Sequence, residues 1–173
     1  CPNCRGKGYI KITKKLEITI PAGIDDGQKV AIRGQGDTGR NGGPNGDLHV
    51  YITVRPHAIF TRRGNDVWCD MPITFTQAAL GAEVTVPTLD GKVSYTVHEG
   101  TQPGDVFKLK GKGIQNINGR GRGDQYVRVT VEVPKNLSKR QKELLQEFEQ
   151  NADEKNYQKR KSFFGKIKGM FED

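Results

Sequence analysis

Cysteine is scarce in this chain of 173 residues, with only Cys1, Cys4 and Cys69 present. An odd count argues against a disulfide framework and for a reducing, cytoplasmic compartment. Long apolar runs are absent. None approaches the ~20 residues that cross a bilayer, so no spanning helix is expected and a membrane is not an expected partner. A secretory signal is missing and the first residue is not Met, so the expectation is a chain that begins partway through a longer protein. Catalytic signatures are missing as well. No GxSxG or HExxH occurs, and the carboxylates gather into no evident site. An enzyme is not expected.

Charge of one sign is in excess. The net charge is +8, and mean hydropathy is strongly negative at −0.69. Such a surface favours nucleic acid, acidic lipid or acidic polypeptide, although Lys and Arg are interspersed with Asp and Glu rather than blocked. "GRGRGD" at 119–124 resembles a nucleic-acid patch but lacks interleaved aromatics. "GQGDTG" at 34–39 satisfies a phosphate-loop pattern but is followed by a loop, not a helix. A basic β protein binding nucleic acid stands as the alternative function.

Glycine is plentiful, and its placement shows an internal repeat. Gly23, Gly27, Gly34, Gly36 and Gly46 recur as Gly100, Gly104, Gly111, Gly113 and Gly123, at one offset (123 − 46 = 77). Asp47 recurs as Asp124. Within each copy, apolar residues alternate with polar ones, the pattern of a half-buried strand. Leu48, Val50, Ile52 and Val54 do so in the first copy, and Val127, Val129, Val131 and Val133 in the second. Leu16, Ile18 and Ile20 predict a further strand, matched by Val93, Tyr95 and Val97. "PAGIDDG" and "HEGTQPG" read as turns. The second copy opens differently: Met71, Ile73 and Phe75 predict a strand, Gln77–Leu80 a helical turn, and Val84 and Val86 another strand. The first copy lacks these opening strands.

In their place stands "CPNCRGKG". CxxC followed by glycines suits half of a zinc knuckle, since tetrahedral zinc takes four ligands. No second pair with ligand spacing follows, so the remaining ligands are expected upstream of Cys1. A redox pair would normally open a helix, and none is signalled here. Cys69 alternates with Trp68 and Asp70 and reads as packing. The fold class expected is mainly β: the end of a zinc module at 1–13, tandem β-sandwich domains at 14–60 and 61–135, and a C-terminal helix and tail at 136–173.

These motifs resemble a known family. "CPNCRGKG", "IPAGIDDGQKVAIRGQGD", "GDLHVYITVRPHAIFTRRGNDVW" and "AALGAEVTVPTLDGKV" are similar to the C-terminal part of bacterial class A DnaJ-type co-chaperones. The resemblance extends from Cys1 to about Phe148. It implies that Cys1 and Cys4 are half of a zinc site of the whole protein. It implies binding of non-native polypeptide for a DnaK-type chaperone, by an added strand and an apolar pocket. By motif position that pocket falls at Leu16 and Val50, with Ile18 and Ile52 on the same strands as further substrate-binding candidates. On residue pattern alone, all four are equally readable as core. No His-Pro-Asp occurs, so the family's ATPase-stimulating element is not in this chain.

The C-terminal stretch changes character. Ser138 with Gln141 forms a capping box, and Leu144, Leu145 and Phe148 make one helical stripe that must be buried somewhere. The family resemblance favours a homodimer through this region, and a dimerisation scaffold without substrate binding is a third reading. Residues 151–161 read as a polar linker, and "KSFFGKIKGMFED" has helical spacing.

Overall fold

The computed structural model describes residues 2, 4–6, 8–39 and 43–171, without the side chains of 168, 169 and 171. It contains two compact units, Cys1–Val131 and Glu132–Asp173.

The first unit is built of strands. β1 (Lys29–Ile32) pairs antiparallel with β2 (Leu48–Tyr51). β3 (Phe60–Arg63), β4 (Asp66–Thr74), β7 (Val106–Leu109) and β8 (Gln125–Glu132) form a four-stranded sheet in the order β3-β4-β8-β7. β5 (Ala82–Thr88) and β6 (Gly91–Val97) make a hairpin, and α1 (Phe75–Leu80) joins it to β4. The fold is mainly β, as expected.

The repeat is reproduced in the backbone. β1 pairs Lys29 with Tyr51, and β7 pairs Val106 with Arg128, both shifted by 77 (106 − 29 and 128 − 51). The flanking bonds shift equally. Gly27 N–H donates to Ile52 O at 3.0 Å and Gly104 N–H to Val129 O at 2.8 Å. Gly36 N–H donates to Gly46 O, and Gly113 N–H to Gly123 O, both at 2.8 Å. Asp47 accepts the Gly34 amide at 3.0 Å, and Asp124 the Gly111 amide at 2.7 Å.

The core gathers in the second copy. Cys69, Met71 and Ile73 point inward from β4, and Val86, Val97, Val127 and Val129 meet them with Ala78 of α1; Val67 at the start of β4 is buried as well. Tyr95 stacks flat on Phe107 at 3.7 Å beside this cluster. β4 and β8 run in the same direction, because the side chains that meet across them keep one spacing in sequence. Asp66 meets Asp124, Trp68 meets Tyr126 and Asp70 meets Arg128, each 58 residues apart.

Three expectations are corrected. Residues 16–20 form no strand. At the repeat offset their partner would be the counterpart of β5, which is 5–11, and there Gly6 and Gly8 hold φ of +84° and +74°, the left-handed region that strands avoid. Phe75 does not extend β4 but opens α1. Thr74 and Gln77 form a capping box there, with Gln77 N–H donating to Thr74 Oγ1 at 3.2 Å. Residues 151–161 are not a plain linker. Asp153 caps a single 3₁₀ turn, Glu154–Asn156, and α3 (Gln158–Phe171) begins directly after it.

The second unit otherwise follows the sequence. Ser138 caps α2 (Lys139–Asn151) through the expected box with Gln141, and Leu144, Leu145 and Phe148 stand 47%, 37% and 48% exposed.

Candidate substrate-binding surface

The same frame is finished differently in the two copies. Val127 and Val129 of β8 are 0% and 1% exposed. Their counterparts at the repeat offset, Val50 and Ile52, are only half-buried. Val50 lies opposite Val30, and Leu48 opposite Ile32, so β1 and β2 share one half-open apolar face.

The edges differ as well. β8 is flanked on both sides, by β7 and by β4. Val67 N–H donates to Asp124 O at 3.0 Å, and Asp124 N–H to the Asp66 carboxylate at 2.8 Å. β2 has β1 on one side and, among the described residues, no strand on the other. An open edge offers backbone donors and acceptors that read no particular side-chain sequence. Beside it lies apolar surface that rewards a large side chain. That pairing suits an extended segment with exposed hydrophobic residues.

Of the four expected site residues, Val50 and Ile52 are therefore brought to one place. Ile52 exchanges bonds with the turn at Gly27 and Gln28, its N–H donating to Gln28 O at 2.8 Å. Leu16 and Ile18 lie in the irregular segment, half-buried and outside any sheet.

The turn beneath β1 is held by a residue that sequence reasoning missed. Arg62 of β3 donates from Nη1 to Ile24 O at 2.7 Å, from Nη2 to Gly23 O at 2.9 Å and from Nε to Gly64 O at 2.8 Å. Asp25 stands 3.5 Å from Nη1. Gly23 fits so closely against the second copy that a Cβ there would overlap the Gln115 carbonyl. Nearby, His57 Nδ1 accepts the amides of Ile59 and Phe60 at 3.1 and 3.3 Å. The signal was in "RPHAIFTRRG", but a side chain reaching 39 residues back leaves no periodic trace.

Two other motifs are absorbed by the scaffold. Arg122 of "GRGRGD" donates to Gly113 O from Nε and Nη2, at 3.0 and 2.7 Å, and pairs with Asp90 of "TLDG". The Arg122 hydrogen bond holds Asp90 below the usual carboxylate range. Arg128 does the same for Asp70. The Gly111 amide, followed by Lys108, does so for Asp124. Cys69 is buried as packing, and burial pushes its thiol up.

Zinc does not fit the residues present. Tetrahedral zinc needs four ligands, and no group of three or more His, Cys, Asp or Glu gathers among the described residues. Cys4 sits half-buried in a turn, and Cys1 lies outside the described residues.

The chain belongs to a chaperone family. The DnaJ C terminal domain family matches residues 7–134, and the family described as "Chaperone protein DnaJ C-terminal region" matches 140–173. Among individual relatives, the chain is 62% identical to the Chaperone protein DnaJ of Ruminiclostridium cellulolyticum, over 99% of this chain and 49% of that protein. It is 55% identical to that of Acetivibrio thermocellus, over 97% and 44%. The Clostridioides difficile protein is 56% identical, over 91% and 41%. The chain thus spans about half the length of the curated relatives it matches. This family is not enzymatic.

Proposed function

We propose that this chain is the substrate-holding part of a DnaJ-type co-chaperone, binding non-native polypeptide for delivery to a DnaK-type chaperone. The observation that carries the reading is β2: among the described residues no strand flanks its second edge, beside the half-buried Val50 and Ile52, whereas its counterpart β8 is flanked on both sides and Val127 and Val129 are buried. An extended segment adds as a strand to β2 and lays a leucine-like side chain on that face. Burying such a side chain is worth about 1.5–3 kcal/mol. Leu16 and Ile18, half-buried in the preceding irregular segment, are assigned the rest of the pocket in this reading.

Three further assignments belong to this proposal. Leu144, Leu145 and Phe148 of α2 bury against a second copy, making a homodimer. Cys1 and Cys4 supply two of the four ligands of a zinc ion whose other ligands lie elsewhere in the whole protein. The two repeat copies act as separate β-domains, 14–60 and 61–135, in a cytoplasmic setting.

The test is binding of a fluorescent, leucine-rich extended peptide to the chain and to Leu16→Asp and Val50→Asp variants with matched circular dichroism. Micromolar binding that both variants lose, and that survives 0.5 M salt, supports the groove. Phosphate-type contacts would instead weaken steeply with salt. Absence of binding by the folded parent sinks it.

A further inference from the structure

The two helices of the second unit differ in charge. α2 is mixed, with Lys139, Arg140 and Lys142 set against Glu143, Glu147 and Glu149. α3 holds only cations among its charged residues between Gln158 and Phe171. Its apolar residues are large and uncovered: Phe163, Phe164 and Met170 are 60%, 52% and 76% exposed.

α3 has two distinguishable sides. Phe164 walls a cleft with Ala152 and Tyr157, near Glu149 and Glu154. Arg160 and Lys161 on that side pair with those acids at 3.7 and 3.4 Å. Lys159, Phe163, Lys166 and Met170 follow at i, i+4, i+7 and i+11, which places them on one helical stripe. All four are exposed, and neither Lys159 nor Lys166 has an ion-pair partner among the described residues. Lys159 and Lys166 flank Phe163 and Met170, so their stems can pass the apolar groups toward a charged layer. The apolar groups enter the boundary of the acyl chains while the lysine stems reach back to anionic headgroups. An acidic protein surface would meet the charge but not the aromatic and thioether groups.

We propose that the Lys159–Phe163–Lys166–Met170 stripe of α3 seats the second unit on an anionic lipid surface. Crossing a bilayer is a different demand, and no described helix is long and apolar enough for it. The expectation of no membrane partner rested on the lack of a spanning run, and seating on a lipid surface departs from it. The proposal is independent of the β2 groove.

The experiment is flotation of the 173-residue chain with vesicles of phosphatidylcholine containing about one-third phosphatidylglycerol, and with phosphatidylcholine alone. Two double variants are compared, Lys159→Glu with Lys166→Glu, and Phe163→Ser with Met170→Ser. Helical circular dichroism and mass by light scattering are recorded for each. The expected result is binding to anionic vesicles only, weakened at least about tenfold by either double variant at unchanged helicity and mass. No binding to anionic vesicles overturns the proposal. So does binding that the serine variant keeps, which marks plain attraction to a basic protein. A serine variant that halves the mass while vesicle binding persists assigns the stripe to a second copy and also overturns it.

Discussion

Arg122 Nη1 donates to both carboxylate oxygens of Asp90, at 2.9 and 2.8 Å, and so ties the 119–124 loop to the β5–β6 turn. Lys112 joins the same carboxylate at 3.7 Å. Asp70 and Asp124 sit in comparable settings, with Arg128 and with the Gly111 amide. All three carboxyls are held below the ordinary aspartate value. A depressed folded-state value means that the unfolded chain binds the proton first. The stability these groups add is present above about pH 4 and is lost as pH falls through their folded values. Urea midpoints from pH 7 to pH 2.5 should fall in acid, and Asp90→Asn should flatten part of that fall. An Asp90→Asn curve parallel to the parent's would refute the assignment.

The fit of Gly23 separates two effects of glycine. Gly23 and Gly27 both hold positive φ, +88° and +73°, but only Gly23 has a carbonyl where a Cβ would go. Gly27→Ala should cost about 1–2 kcal/mol from the backbone alone. Gly23→Ala should cost more, because it also pushes the first copy off Gln115. Denaturant unfolding of the pair checks the order, and equal losses would show that the contact is soft.

Arg62→Ala tests the same joint from the other side. Its guanidinium makes three bonds to carbonyls, and charged hydrogen bonds are worth about 1.5–3 kcal/mol each when lost from a buried site. Partial exposure of the side chain, 22%, puts the expected loss near the lower figure. Proteolysis within 52–59 should quicken. An unchanged cutting pattern would mean that other contacts suffice to hold the turn.

Val127 and Val50 share a position in the repeat and differ in cover. Val127→Ala removes two buried methyl groups and should cost about 2 kcal/mol. Val50→Ala, at a half-buried site, should cost less than half as much while weakening peptide binding. Comparing urea midpoints with peptide titration tests this; a larger stability loss at Val50 would show that its face is core.

Cys69 offers a probe of the same interior. Buried, with its thiol pushed up, it should resist iodoacetamide at pH 8 in the native chain and react fully in urea. Mapping the labelled peptides identifies the site, and rapid native labelling would contradict the packing.

The repeat was legible because glycine spacing records local turns. Gly27, Gly36 and Gly46 each fix a bond within their own copy, and the second copy shows the same glycines. The capping box at Ser138 was legible for the same reason. The parallel match of β4 with β8 was not, since it joins residues 58 apart through contacts that impose no period. Leu16, Ile18 and Ile20 alternate as a strand does, but alternation reports a preference, and a strand also needs a neighbour to bond. Half the candidate site, Val50 and Ile52, was therefore placed by pattern, and the other half rested on a partner that pattern does not supply. Arg62 was invisible because guanidinium bonds to main-chain carbonyls carry no complementary residue type.

The frame of backbone bonds common to both copies does not depend on what lies over its apolar face. One frame carries a buried face in β8 and a half-open one in β1–β2, with the same turns and the same aspartate bonded to the same amide. Covering is thus separable from folding in this architecture. A duplicated unit of this kind can keep one set of turns while its two copies differ in how far the apolar face is covered.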